Sequence, residues 1–325
     1  MTGCVNCNHR TNFSNVVSVN RGVPQGSILG PILFLIFAND LNKKVNITSL
    51  YQFADDTSCI ISSADKTVLS KRSTEIAAVV LEWCNENSLV LNTGKTSLVL
   101  FRNNNSESLY VPISGKSIEQ TRTVKFLGVT LDEGLQWTEQ VSDVVGKISK
   151  AGFAIRVLRE QVSLNIIRIF YMASVQSIIA YSIMFWYRFS VENVHRVFVA
   201  QKRIVRIMLG MNCRESCRGK FKLLNIMTVP SIFIYTCALF VRSNLNMFVT
   251  NGDLSHDVVT RGRNNLAVPI HRTALFHKGP LISCIKIFNS LPDNIRAVRN
   301  RDCFKRHLRE FLIAGEFYEL EAFLN

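Results

Sequence analysis

The chain is short of acid. None of its first 39 residues is Asp or Glu, and its 325 residues hold 24 acids against 38 Lys and Arg, a formal charge of +14. It has no uninterrupted apolar run of the roughly 20 residues that a membrane-spanning helix needs. Ile169 to Tyr187 comes nearest, but Ser174, Gln176, Ser177 and Ser182 interrupt it, so it reads as a buried helix. Ile28 to Ala38 and Val229 to Val241 are shorter still. The first thirty residues lack the charged start, apolar stretch and small-residue cleavage site of a secretory signal, and there is no internal repeat or low-complexity tract. The nine cysteines are odd in number and scattered, which argues against a disulfide framework. These absences point to an intracellular protein, nuclear or cytoplasmic, neither secreted nor stably associated with a membrane.

With 47% apolar residues there is material for one large core or two smaller ones. The charge is lopsided. Residues 1 to 165 hold 16 Lys and Arg against 14 acids, whereas residues 166 to 325 hold 22 against 10. A basic half richer in Arg than Lys suits phosphate contact, because the guanidinium fork matches paired phosphate oxygens. Taken alone, such a charge equally describes a solvated surface.

Hydrophobic periodicity predicts an α+β first half. An extended pair lies around Val16 to Asn20, an apolar helix from Ser27 to Leu41, a hairpin from Leu50 to Ile61, a helix from Lys66 to Glu86 and a strand from Thr96 to Phe101. Two further short strands are expected between Leu109 and Leu131, where Pro112, Gly115 and Gly128 punctuate runs of Val, Ile, Thr and Phe. After Trp137 the pattern becomes helical. From Val194 to Leu209 it puts Val194, Val197, Phe198, Val205 and Met208 on one side and Arg196, Lys202, Arg203 and Arg206 largely elsewhere, with Gly210 closing the helix. A loop is expected from Asn251 to Pro269 and helix again from Phe304 to Phe323. Trp83, Trp137 and Trp186 read as core.

The residues richest in chemistry are Asp55 and Asp56, inside Tyr51-Gln52-Phe53-Ala54-Asp55-Asp56-Thr57. Neighbours in a regular strand face opposite ways, so adjacent carboxylates converge only where the chain turns. Asp-Asp is not a favoured two-residue hairpin turn. Paired carboxylates at a tip hold hard divalent cations, and two such ions about 4 Å apart serve phosphoryl transfer. An isolated Asp-Asp is more often a solvated turn; here the context alters the reading. Upstream lies Gly22-Val23-Pro24-Gln25-Gly26-Ser27-Ile28-Leu29-Gly30-Pro31, whose glycines permit close backbone approach to a ligand, followed by an apolar helix to anchor it. Downstream lie Asn92-Thr93-Gly94-Lys95-Thr96-Ser97 and Phe126-Leu127-Gly128-Val129.

In this order and spacing, across roughly residues 16 to 140, the chain resembles the reverse transcriptases of non-LTR, jockey-like retrotransposons. The resemblance implies a partial polymerase palm over residues 1 to 108, primer-grip strands over 109 to 135, a helical thumb-like region over 136 to 250, a loop over 251 to 269 and a distal helical region over 270 to 325. It implies contact of Gly22, Pro24, Gln25 and Gly26 with template and nucleotide, metal ligation by Asp55 and Asp56, leaving-group protonation by Lys95, and a primer grip at Phe126, Leu127 and Gly128. The implied cofactor is Mg2+ at a two-metal site. The implied partners are an RNA template, a DNA primer and deoxynucleoside triphosphates. Gln201-Lys202-Arg203-Ile204-Val205-Arg206 resembles the family's thumb, with Lys202, Arg203 and Arg206 as phosphate contacts. Gln140 departs from the pattern, which often has His there.

Such polymerases use a third carboxylate from an upstream strand, and no acid precedes Asp40. The expectation is therefore a chain lacking the front of the polymerase and the endonuclease that usually precedes it, inactive alone. The alternatives are a non-catalytic nucleic-acid-binding remnant and a membrane protein built on Ile169 to Tyr187. Cys4-Val5-Asn6-Cys7 with His9 has half the spacing of a zinc site without a second half, and Cys213 with Cys217 is no stronger. His271, His277 and His307 lie among basic residues and read as phosphate-facing or solvated.

Overall fold

The computed structural model describes residues 3–5, 8–9, 12–13, 17–19, 22–23, 26–45, 49–101, 109–113, 115–254 and 262–324. The chain divides into two compact units, residues 1–122 and 123–325, each treated by itself below.

In the first unit β1 (Gly3–Val5) pairs antiparallel with β4 (Val17–Val19), and β2 (Asn8–His9) with β3 (Asn12–Phe13). Two helices follow, α1 (Gly30–Ala38) and α2 (Leu41–Lys44), then the hairpin β5 (Leu50–Phe53) and β6 (Asp56–Cys59). The long helix α3 (Lys66–Glu86) starts where Asp65 accepts from the amides of Thr67 at 2.7 Å and Val68 at 3.4 Å, satisfying two donors that a helix start leaves free. Its end is tied back by Trp83, whose indole N–H donates to Asp40 at 2.9 Å, and by the Lys44–Glu86 ion pair. Trp83 and Cys84 pack with Leu41 and Val45 into one small core. The hairpin of β7 (Tyr110–Ile113) and β8 (Lys116–Glu119) covers the other side of α3 through Val111, Ile113 and Ile118.

The second unit opens with the hairpin β9 (Thr123–Phe126) and β10 (Val129–Asp132) and is otherwise helical. Its helices are α4 (Thr138–Leu158), α5 (Leu164–Tyr171), α6 (Ser177–Ala180), α7 (Ile183–Trp186), α8 (Val191–Leu209), α9 (Lys220–Leu223) and α10 (Val229–Ser243). The short α11 (Asn251–Leu254) and α12 (Ala274–Lys278) precede α13 (Pro280–Asn289), α14 (Asp293–Arg296), α15 (Arg301–Gly315) and α16 (Glu321–Leu324). One continuous core runs through this unit. Helix α10 lies at its centre, burying Val229, Ile232, Phe233, Ile234, Cys237, Ala238 and Val241, and Phe233 stacks on Tyr187 with ring centroids 4.1 Å apart.

This is the expected α+β class, with small antiparallel sheets and a mainly helical second part. Trp83, Trp137 and Trp186 are all buried. The strand expected from Thr96 to Phe101 is reduced to one bridge, Leu98 to Gln120, because β7 and β8 pair with each other and the Leu98 carbonyl accepts from the amide and hydroxyl of Thr121 just beyond them. Four strands in two hairpins replace the two expected between Leu109 and Leu131. The helix expected from Ser27 to Leu41 is interrupted at Asn39 and Asp40, and it is held only at its end, where Phe37 lies against Trp83 and the Ala38 carbonyl accepts from Gln52. Only Gly30 and Ala38 of α1 are buried, while Ile28 is 90% and Ile36 69% exposed, since no described element covers that face.

Ile169 to Tyr187 is not one helix either. A π-helical turn at Met172–Gln176 widens it, and Ser182 at φ 60° breaks it between α6 and α7. Its Tyr171, Val175, Ile179, Ile183 and Trp186 all enter the core. Among the described residues no helix is long and apolar enough to cross a membrane. The carboxy-terminal helix is also divided, ending at Glu316, whose φ of 42° turns the chain toward α16.

Two substitutions contrast the units. Phe233→Ala is expected to cost about 3–5 kcal/mol through its cavity and lost stack, read as a shift in the urea unfolding midpoint. Ile36→Lys is expected to change that midpoint by less than about 0.5 kcal/mol equivalent while lowering the binding of a hydrophobic dye.

Candidate functional site

The acidic pair occupies the tip of β5–β6. Phe53 pairs with Asp56, so Ala54 and Asp55 form the two-residue loop, and Asp56 is the first residue of β6. Ala54 stands at φ 51°, a left-handed conformation that costs an L residue roughly 1–2 kcal/mol and is usually given to Gly. Strain at a tip carrying two carboxylates is the kind of local conflict found where function holds a conformation in place. Asp55 and Asp56 are both exposed. Among the described residues no group of three or more His, Cys, Asp or Glu side chains is placed to hold a metal ion. Among the described residues the tip thus offers two carboxylates and no third.

The glycine-rich segment is described at its ends. Gly22 and Gly26 stand at φ 86° and 82° with open space where a Cβ would project, so the left-handed backbone explains both glycines. Ser27 accepts from the Gly30 amide at 3.0 Å and leads into α1. Pro24 and Gln25 lie outside the described residues. Lys95 ends the turn after Asn92, its amide donating to the Asn92 carbonyl at 3.1 Å, and its side chain is exposed.

In the second unit Leu127 and Gly128 form the turn of β9–β10, both with positive φ, at 46° and 79°, the geometry of a tight hairpin turn. The Tyr181 hydroxyl donates to the Leu127 carbonyl, and its ring lies 3.8 Å from where a Cβ on Gly128 would be. Tyr181 escaped the sequence reading. It sits at the α6–α7 break, which no periodicity signals. Gln140 has a structural part: its side-chain oxygen accepts from the Thr130 amide at 2.9 Å and its nitrogen donates to Ser182 at 3.4 Å, joining β10 to the same break.

Helices α4 and α8 run side by side in the same direction. Arg196 reaches Ser142 at 2.9 Å near their starts, and Arg159 reaches the Ile207 carbonyl at 3.2 Å near their ends. Between them Gly152 lets Ile204 approach so closely that a Cβ there would lie 2.4 Å from its Cδ1. The resulting groove of about 350 Å³ has an apolar floor including Val199 and Ile207, with Phe153 at 68% exposure. Arg156, Arg196 and Arg203 rim it. Arg203 and Arg156 have no hydrogen-bond or ion-pair partner among the described residues. Lys202 lies over the Phe198 ring at 4.5 Å, and Arg206 donates to the Glu215 carbonyl at 2.8 Å. Of the three expected phosphate-contacting residues, Arg203 is thus the least engaged. Arg156 and Phe153, on the opposite helix, went unnoticed because their role depends on which helix α8 packs against.

Residues 4–131 match the reverse transcriptase (RNA-dependent DNA polymerase) family, and the chain is similar to proteins of jockey and other non-LTR elements. The chain is 30% identical over 138 residues to the RNA-directed DNA polymerase from mobile element jockey of Drosophila funebris, covering 40% of this chain and 15% of that protein. It is 27% identical over 222 residues to the probable RNA-directed DNA polymerase from transposon BS of Drosophila melanogaster, covering 65% of this chain and 24% of that protein. The chain thus spans a minor part of the length of these curated relatives. No solved structure matches it significantly.

Ala54→Gly is expected to stabilise the hairpin tip by about 1 kcal/mol, since Gly adopts φ 51° without the Cβ penalty. Slower amide exchange across β5–β6 would register the gain; faster exchange would contradict the strain.

Proposed function

We propose that the chain is part of an RNA-directed DNA polymerase, with an RNA template and a DNA primer as partners and deoxynucleoside triphosphates as substrates. The observation that carries the reading is the tip of β5–β6, where a turn strained at Ala54 carries Asp55 and leads directly into Asp56. Mg2+ suits this donor set in part, because it keeps several waters and takes one or two carboxylates alongside substrate phosphates. Bound there, it would neutralise charge developing on the phosphoryl oxygens. Gly22, Pro24, Gln25 and Gly26 would bring backbone against template and nucleotide, and Lys95 would give a proton from Nζ to the departing pyrophosphate oxygen. The Phe126-Leu127-Gly128 turn, braced by Tyr181, would seat the primer end. Arg203, with Lys202 and Arg206 beside it and Arg156 across the groove, would hold backbone phosphates. The work of such a chain lies inside the cell, in nucleus or cytoplasm.

One observation favours a second reading for the chain alone. With two carboxylates and no third joining them among the described residues, the two-ion geometry is underdetermined and the catalytic loss is large. A nucleic-acid-binding, non-catalytic chain is then expected unless a third carboxylate joins the pair. The residues expected over 1 to 108, 109 to 135 and 136 to 250 keep their proposed roles as palm, primer grip and thumb, with 270 to 325 as a distal helical region.

Primer extension with a homopolymer RNA template, a DNA primer and Mg2+ tests both readings. The chain alone is expected to bind the hybrid in a salt-dependent manner without extending it. Replacing Arg156 and Arg203 by Ala should lower the slope of log affinity against log salt by about 2. Extension that Asp55→Asn abolishes would overturn the inactivity of the isolated chain. Independently, Mn2+ should broaden the amide resonances of residues 53 to 57 and spare them in the Asp55→Asn, Asp56→Asn double variant; equal broadening in both would remove the metal site.

A further inference from the structure

A second basic cluster lies in the distal part of the second unit, outside the groove between α4 and α8. Nδ1 of His271 is 3.0 Å from the Pro269 carbonyl oxygen. That oxygen only accepts, so Nδ1 carries the proton and Nε2 is left as an acceptor. It faces Nδ1 of His277 at 2.9 Å, which must therefore donate, and Nε2 of His277 in turn accepts from Lys286 Nζ at 3.2 Å. A single relay thus runs from Lys286 through His277 and His271 to Pro269, in which His277 accepts from the lysine at Nε2.

The relay is held under positive pressure. The charge of Lys286, on α13, depresses the pKa of His277, on α12; desolvation, Arg188 and His271 add to the effect. Among the described residues no carboxylate contributes to that shift. The acids of neighbouring helices are engaged elsewhere, Asp293 with Arg296 and Asp302 with Lys305. Beside the relay the Phe276 ring is 44% exposed, with its centroid 5.9 Å from that of His271. Cations lacking a counter-charge next to an open aromatic face match an unpaired nucleic-acid strand, which supplies phosphates and flat bases together.

We propose that His277 and Lys286 bind a phosphate of an unpaired nucleic-acid strand, with a base laid against Phe276 and His271, and that this grip tightens as the imidazole takes up a proton. The sign follows from the relay. Protonated His277 can no longer accept from Lys286, so Nε2–H and Nζ become two donors with no acceptor between them, and a phosphate oxygen fills that place. An anion bound there favours the imidazolium and raises its pKa, so each strand bound takes up protons and affinity rises as pH falls. The inference shares with the polymerase reading only the class of ligand.

The experiment is fluorescence anisotropy of a short fluorescein-labelled oligouridylate with the full chain, at fixed ionic strength, at about pH 5.5 and about pH 7.5. A rise of one pKa unit on binding corresponds to about tenfold tighter binding at the lower pH. His277→Gln, which keeps an amide donor and acceptor but does not titrate, should remove that difference, whereas Arg156→Ala with Arg203→Ala should weaken binding at both pH values and preserve it. Phe276→Ala should weaken oligouridylate and leave inorganic phosphate unaffected. An unchanged pH ratio in His277→Gln overturns the proposal. So does equal competition by inorganic phosphate, which would make this a free-anion site, or by polyglutamate, which would make it a site for acidic protein. Loss of the primer–template reading without loss of this pH difference would leave the second cluster standing.

Discussion

Gln201 is wholly buried in the middle of α8, and its amide makes three bonds that nothing else in the core replaces. The nitrogen donates to the Tyr171 hydroxyl at 2.7 Å and to the Met227 carbonyl at 2.9 Å, and the oxygen accepts from the Val229 amide at 2.9 Å. Buried polar groups are costly unless paired, so this side chain fixes α8 against α5 and against the start of α10. The Tyr171 phenol, enclosed beside it, is driven well above its ordinary pKa by burial, which outweighs the opposing bond from Gln201. With one face of α8 locked in this way, Lys202 and Arg203 can only lie away from the core. The basic groove is the outer consequence of an inner hydrogen-bond node.

The first unit has no comparable centre. Its two small clusters are organised around α3, which meets α1 and α2 through Trp83 and the β7–β8 hairpin through Val111, Ile113 and Ile118. The acidic hairpin is attached by Leu50 at its base and by Gln52, which donates to the Ala38 carbonyl at 3.4 Å, while Tyr51 and Phe53 stand exposed. Much of its form is therefore set by the turn itself. The well-packed helical unit carries the exposed cations of the groove, and the lightly packed unit carries the exposed acidic pair.

Local signals were legible where the local backbone decides the outcome. Asp65 marks the start of α3, and Gly210 at φ 67° closes α8 where the sequence puts its end. The Leu50 to Ile61 hairpin was legible from its apolar flanks, and its two-residue loop is Ala54-Asp55. Thr96 to Phe101 misled because a strand exists only where a partner accepts its bonds, and β7 and β8 had already paired. Ile169 to Tyr187 misled in the opposite sense. Its composition suits one helix, but the core takes Tyr171, Val175, Ile179, Ile183 and Trp186 from a segment that widens and then breaks.

The sequence by itself determined the order of the motifs, the charge of each half and the identity of the acidic pair, because covalent order and composition do not depend on packing. Tertiary structure decided the rest: that Tyr181 braces the Leu127 turn, that Arg156 faces Arg203 across a groove, and that His271, His277 and Lys286 form one relay. Each of these joins residues through the packing of separate elements, and contacts of that kind are set by how side chains fill a shared core rather than by spacing along the chain.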